Sequence, residues 1–313
     1  MAEYCISCCS TADLTKEYFD KRGIRYVCFH YELGGTDYLD DLGQTMPPAE
    51  LYRRMLAGED VKTSQVSIGE YADFFRKIFD EGKDILHLTL SSGISGSYNS
   101  ACIAAEQVRE EYPNRKIYVV DSLAASSGYG LLVDTLADRR DAGESIDELY
   151  AWVCENKKKL QHWFFTSDLT FFIRGGRVSK AAGFFGGMLG ICPLLNVDYE
   201  GHLTAREKVR TKKKVIQRIV QKMEENAEGG LAYSGKCYIC QSECMDDAKA
   251  VAMLVESRFP NLNGKVEIYP IGATIWCYNW QSYRSGNSSI IFLGKGTRGL
   301  TQFCKRNVMF LDI

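Results

Sequence analysis

Three hydroxyl-rich segments and one arginine stand out as side chains that could hold a ligand. The segments are Cys8-Cys9-Ser10-Thr11-Ala12-Asp13-Leu14, Lys62-Thr63-Ser64-Gln65-Val66-Ser67 and Ser91-Ser92-Gly93-Ile94-Ser95-Gly96-Ser97-Tyr98-Asn99-Ser100-Ala101. Ser and Thr hydroxyls are short, rotatable donors, and a helix start adds unpaired N–H groups that favour an anion. The arginine is Arg177, directly after Gly175-Gly176. A guanidinium binds a carboxylate or phosphate through paired donors. An apolar, glycine-studded run follows it, with Phe184, Phe185, Met188, Leu189 and Ile191. A cation at the mouth of an apolar segment suits a ligand with an anionic head and a long apolar tail. The plainer reading keeps Arg177 in an ordinary salt bridge at the start of a buried helix. It also leaves Ser95 or Ser97, and Ser64 or Ser67, as helix caps.

Nucleophilic catalysis is the competing chemistry. Ser91, Ser92 or Ser95 could attack a carbonyl if a base lay close. The four histidines, His30, His87, His162 and His202, sit in no motif that couples one to a serine. No Gly-x-Ser-x-Gly elbow and no complete Gly-x-x-x-x-Gly-Lys-Ser/Thr phosphate loop occurs. An enzyme using the Ser and Arg loops on a small phosphorylated or carboxylated substrate is the alternative function. Six of the twelve cysteines cluster at Cys5, Cys8, Cys9 and at Cys237, Cys240, Cys244. A zinc site needs four converging ligands, whereas on a strand Cys237 and Cys240 face opposite sides. The expectation is free thiols acting as small hydrophobes in a reducing compartment, and a cytoplasmic protein.

The elements that must position these groups alternate. Strands are expected at Tyr26–Tyr31, Asp84–Leu90 and Lys116–Val120. Helices are expected at Pro48–Ala57, Ile68–Glu81, Tyr98–Glu111 and Gly128–Arg140. Such repeats predict an α/β layer with a mostly parallel sheet, in which ligands sit at the carboxyl ends of strands. From about Gln161 the pattern becomes hairpin-like. Strands are expected at His162–Ser167, Leu194–Tyr199 (before a turn at Glu200-Gly201), Lys236–Gln241, Lys265–Pro270 and Ser288–Leu293. A long basic helix is expected over Arg206–Asn226 and another helix over Cys244–Phe259. The basic stretch reads as a solvated face, with contact to an acidic partner or membrane surface as its second use. The reading is two α/β domains, 1–160 with a mostly parallel sheet and 161–313 with a mixed sheet.

At 313 residues the chain has room for about two domains and a pocket between them. Charged residues are 25% and the net charge is −2, which gives no electrostatic footprint for nucleic acid. The run Ala181–Leu195 is too short for a bilayer and is broken by glycines and Pro193, so no transmembrane segment is expected.

Taken together, the motifs resemble the DegV family of bacterial fatty-acid-binding proteins. In order they are Ser10-Thr11-Ala12-Asp13-Leu14, Thr63-Ser64-Gln65, Ser91–Tyr98, Val120-Asp121-Ser122, Gly175-Gly176-Arg177 and the Gly-rich run ending at Pro193-Leu194-Leu195. The resemblance covers nearly the whole chain and implies two α/β domains with a long-chain fatty acid between them as ligand, and no other cofactor. It implies that Thr63 and Ser95, with neighbours Ser64 and Gly96, hold the carboxylate. Arg177 would serve the head, and Phe184 and Phe185 would line the tail. In some members a separate ATP-binding fatty acid kinase subunit phosphorylates the presented carboxylate, so the binding protein is itself no enzyme. The chain departs from the family pattern in three places. Cys9 stands where an aspartate is usual and Val66 where a proline is usual. Tyr278 falls about where the family carries a histidine, and a longer segment with Tyr283 and Arg284 replaces a Gly-Pro-Gly turn. A phenol donates a hydrogen bond to a carboxylate but carries no positive charge.

Overall fold

The computed structural model describes residues 3–166, 169, 172, 173, 176–178, 191–277 and 290–295. The first strand, β1 (Tyr4–Cys9), is buried along its whole length and lies inside a parallel sheet. Both faces are covered, so its residues show no polar alternation. Helix α1 (Lys16–Arg22) leads to β2 (Arg25–Val27) beside it. The expected single strand over Tyr26–Tyr31 is two. After a break at Cys28 and Phe29, β3 (His30–Leu33) joins a separate antiparallel sheet with β4 (Thr36–Leu39) and, after α2 (Pro48–Leu56), with β5 (Val61–Ser64).

Helix α3 (Ile68–Asp80) starts with a capping box between Ser67 and Glu70. It buries Tyr71, Ala72, Phe75, Ile78 and Phe79, a stripe at helical spacing. It leads to β6 (Asp84–Thr89), helix α4 (Ser97–Glu111) and β7 (Ile117–Asp121). The parallel sheet has the order β2-β1-β6-β7. Helix α4 buries only small residues and Val108, which lets it lie close to the sheet and to α3. Helices α5 (Ser127–Asp141) and α6 (Ile146–Asn156) follow, the latter with a second capping box, Ser145 to Glu148.

From Leu160 a third, six-stranded mixed sheet is built. It contains β8 (Leu160–Phe165), β9 (Ile191–Val197), β10 (Leu203–Arg210), β11 (Cys237–Gln241), β12 (Val266–Pro270) and β13 (Ile290–Lys295). The order is β10-β9-β8-β13-β11-β12, antiparallel except for the β11–β12 pair. The expected basic helix over Arg206–Asn226 is corrected here. Its first part is the edge strand β10, and the helix proper, α7, spans Lys212–Asn226. Arg206, Lys208 and Arg210 are exposed at alternate positions, which is a strand period. Thr211, at φ +73°, reverses the chain, and its side chain accepts the Lys214 amide as helix cap. Helix α8 (Met245–Arg258) and the short turn α9 (Ala273–Trp276) complete the described elements.

The alternation along the mixed sheet divides its side chains between two cores. Phe164, Tyr238 and Cys240 join the core of the parallel sheet, together with Ile271 and Trp276. Trp163, Phe165, Cys237 and Ile239 face α7 and α8. Cys237 and Cys240 thus lie on opposite faces.

Candidate functional site

The Thr-Ser-Gln segment and the Ser-rich loop meet through one side chain. Thr63 and Ser64 are the last residues of β5, Thr63 half-buried and Ser64 exposed. Gln65 follows and reaches across to α4. Its Nε2 donates to Ser100 Oγ at 3.0 Å, and its Oε1 accepts from Ser95 Oγ at 3.3 Å. Gly96 is the N-cap of α4, and a Cβ there would lie 2.8 Å from Gln65 Oε1. The strand end carrying Thr63 and Ser64 is therefore tied through Gln65 to the turn carrying Ser95 and Gly96. Ser95 Oγ also accepts the Ser97 amide at 3.2 Å. The capping role weighed for these serines holds at α3, whereas the N-cap of α4 is Gly96, without a side-chain cap bond. Ser67 caps α3, and Ser95, just before α4, takes only the Ser97 amide.

The Ser-rich loop is braced from below and behind. Ser91 Oγ accepts from Gly93 N at 3.1 Å and donates to Gly201 O at 2.8 Å, across to the β9–β10 turn. Asp121 Oδ1 accepts the amides of Ser92 at 3.1 Å and Leu123 at 3.0 Å. That is the structural work of the Val120-Asp121-Ser122 motif. Gly93 is glycine for a steric reason, since a Cβ would stand 2.7 Å from Gly201 O.

Arg177 follows a left-handed helix end. Arg177 N donates to Phe172 O at 2.9 Å, and Gly176 N donates to Ile173 O at 3.0 Å. Gly176 lies between them at φ +73°. This paired pattern ends a helical turn, and its left-handed position favours glycine. Phe172 and Val178 on either side are buried in the first core. The half-buried Arg177 thus leaves an anchored backbone. Phe184, Phe185 and Tyr278 lie outside the described residues.

Asp13, in the first motif, is fully buried in a left-handed turn after β1. Its carboxylate accepts from Ser126 Oγ and, at 3.0 Å, from Gly272 N. Asp40, also buried, accepts Thr274 N at 3.1 Å. The two carboxylates cap the start of α9 and tie it to the parallel-sheet half. Burial pushes both carboxyls above their ordinary value, and Asp40 adds to the rise at Asp13. A cavity of about 340 Å³ lies beside them, lined in part by Leu14, Tyr31, Leu51 and Tyr52, but also by Glu17 and Asp41. Four carboxyl groups suit an anionic head badly.

His87, weighed as a base, lies in β6 with no exposure, and burial pulls its pKa down to about 3. Its Nδ1 is 2.9 Å from Ser7 Oγ rather than from a serine of the 91–97 loop. Among the described residues no group of three or more His, Cys, Asp or Glu is arranged to hold a metal ion, and the described cysteines are free thiols. No helix among them is long and apolar enough to cross a membrane.

A parallel sheet with hydroxyl loops at its carboxyl edge, braced by a hairpin of the mixed sheet, defines an α/β protein. Residues 8–283 match the DegV family, described as uncharacterised proteins, and the chain belongs to that family. It is 35% identical over 260 residues to a DegV domain-containing protein of Clostridium perfringens, covering 83% of this chain and 89% of that one. A fatty-acid-binding DegV family protein from Thermus thermophilus is similar in structure. Its TM-score is 0.80 and its identity 25%, over 94% of this chain and 99% of that one. The Fatty Acid Kinase (Fak) B3 protein of Streptococcus pneumoniae, solved with linoleic acid, shares the fold. There the TM-score is 0.77 and the identity 22%, over 94% and 100% of the two chains.

Proposed function

We propose that this protein is a cytoplasmic carrier of long-chain fatty acids, not an enzyme. The ligand lies between the domains 1–160 and 161–313. The carboxylate sits at the wall formed by Thr63, Ser64, Ser95 and Gly96, with Arg177 serving the head and Phe184 and Phe185 lining the tail. Tyr278 donates to the head in place of a cation. The carrier presents the carboxylate to a separate ATP-binding kinase subunit, which forms the acyl phosphate.

The observation that supports this reading is the Gln65 bridge, which links two hydroxyl segments from different elements. Short donors at element ends suit a carboxylate, and they orient it rather than supply most of the affinity. The acyl chain contributes about 0.8 kcal/mol per buried CH₂, enough over a long chain for tight binding. Native mass spectrometry of protein produced in a bacterial host tests the carrier reading. A co-purifying mass of a fatty acid is expected. Protein that arrives empty and fails to take up palmitate would overturn it.

A further inference from the structure

Behind the Ser95 turn runs a line of buried polar groups that no ligand contact explains. Ser97, the first residue of α4, has its hydroxyl 2.5 Å from the phenol of Tyr71 on α3. The same phenol is 3.1 Å from Cys9 Sγ at the end of β1. Cys9 Sγ lies 3.9 Å from His87 Nε2, a weak contact, and His87 Nδ1 lies 2.9 Å from Ser7 Oγ. Ser7, Cys9, Tyr71, His87 and Ser97 all have zero exposure. Buried polar groups are retained when each has a partner, and a linked set holds its members in one arrangement. Burial raises the Cys9 thiol and the Tyr71 phenol and lowers His87, so the line is uncharged near neutral pH.

The line ends at the proposed head-group wall. The amide of Ser97, whose side chain Tyr71 pins, donates to Ser95 Oγ at 3.2 Å. Gln65 holds Ser95 from the other side. The geometry points to Tyr71 as a positioning residue for the carboxylate-binding turn. It acts through Ser97 on Ser95 and touches no ligand itself. This rests on the fatty-acid reading above. Without the phenol oxygen, Ser97 Oγ and Cys9 Sγ lose their shared partner in a site that water does not reach. The first turn of α4 then loses its lateral tie to α3.

Tyr71→Phe isolates that oxygen. The ring keeps its stacking on Phe75, at 5.7 Å between centroids, and its edge contact with His87, at 5.4 Å. Delipidated wild type and variant are titrated with palmitate and with hexadecanol, which keeps the chain and lacks the carboxylate. Palmitate affinity is expected to fall about three- to tenfold while hexadecanol affinity holds, so selectivity for the acid shrinks by that factor. Ser97→Ala, at the next link, is expected to do the same. If either variant leaves selectivity intact, or loses both ligands in proportion to a lowered melting temperature, Tyr71 is only a core residue and the proposal fails. Wild type that binds neither ligand overturns the carrier reading itself.

Discussion

A guanidinium helps to hold an anion only if its stem is fixed, because a freely moving side chain loses rotamer entropy on each binding event. At Arg177 the main chain is held, by Arg177 N to Phe172 O and Gly176 N to Ile173 O, between the buried Phe172 and Val178. Arg177→Ala removes the charge and leaves those backbone bonds in place. Fatty-acid affinity is expected to fall about ten- to a hundredfold, the loss of one charge-assisted hydrogen bond at about 1.5–3 kcal/mol. The melting temperature of the ligand-free protein should hold. Unchanged affinity with a lowered melting temperature would assign Arg177 to a structural ion pair instead. Unchanged affinity with slower phosphorylation by the kinase subunit would place it at the partner surface. Gln65 works differently. It is neutral, and its contribution is to join two loops rather than to meet the ligand's charge.

Among the elements, the contact between the β9–β10 turn and the Ser91–Gly96 loop is the tightest restraint on the site. Gly93→Ala would put a methyl 2.7 Å from Gly201 O and 3.1 Å from Glu200 O, both backbone atoms with little room to yield. Overpacking of this kind costs about 1–3 kcal/mol. A lower melting temperature and weaker fatty-acid binding are expected together. Gly69→Ala in the first turn of α3 meets nothing within 4 Å and is the control. It should be neutral or stabilising by up to about 1 kcal/mol. A Gly93→Ala protein that melts and binds like wild type would show that the turn gives way freely.

These elements also show what the sequence could convey. Helix α3 was legible because its capping box and its buried stripe are local patterns. Strand β1 was not, because burial on both faces erased its alternation and left only a cysteine cluster to read. Strand β10 was misread as helix because lysine and arginine serve either period, and the pairing with β9 decides between them. The hydroxyl loops were visible as residue types at element ends. The bridging role of Gln65, named only as part of a motif, and Tyr71 altogether were missed because their partners come from elsewhere in the chain. Gln65 bridges to residues 30 and 35 positions away, and Tyr71 meets a thiol 62 positions away. No local spacing encodes such contacts.

Across the whole molecule, the parallel and mixed sheets are joined by shared core and by buried polar ties. Tyr52 stacks on Trp276 with ring centroids 4.2 Å apart, and its hydroxyl donates to Ile271 O at 3.3 Å. Asp134, buried on α5, takes Tyr18 from one half and Tyr238 and Lys236 from the other. Asp13 and Asp40 hold the amides of Gly272 and Thr274, and for these two burial outweighs the hydrogen bonds that favour the charged form. A carboxyl raised in the folded state binds more protons folded than unfolded. Its contribution is therefore fully present below the unfolded value of about 3.9, and it is lost as pH rises through the folded value. Asp13→Asn removes the charge and keeps an oxygen to accept Gly272 N. The melting temperature of wild type, measured from pH 4 to 8, should therefore fall relative to that of Asp13→Asn as pH rises. Wild type should gain relative to the variant as the pH is lowered toward 4. Parallel curves would mean that Asp13 titrates alike in both states, and its carboxylate would then tie the halves together without the burial cost that its surroundings imply.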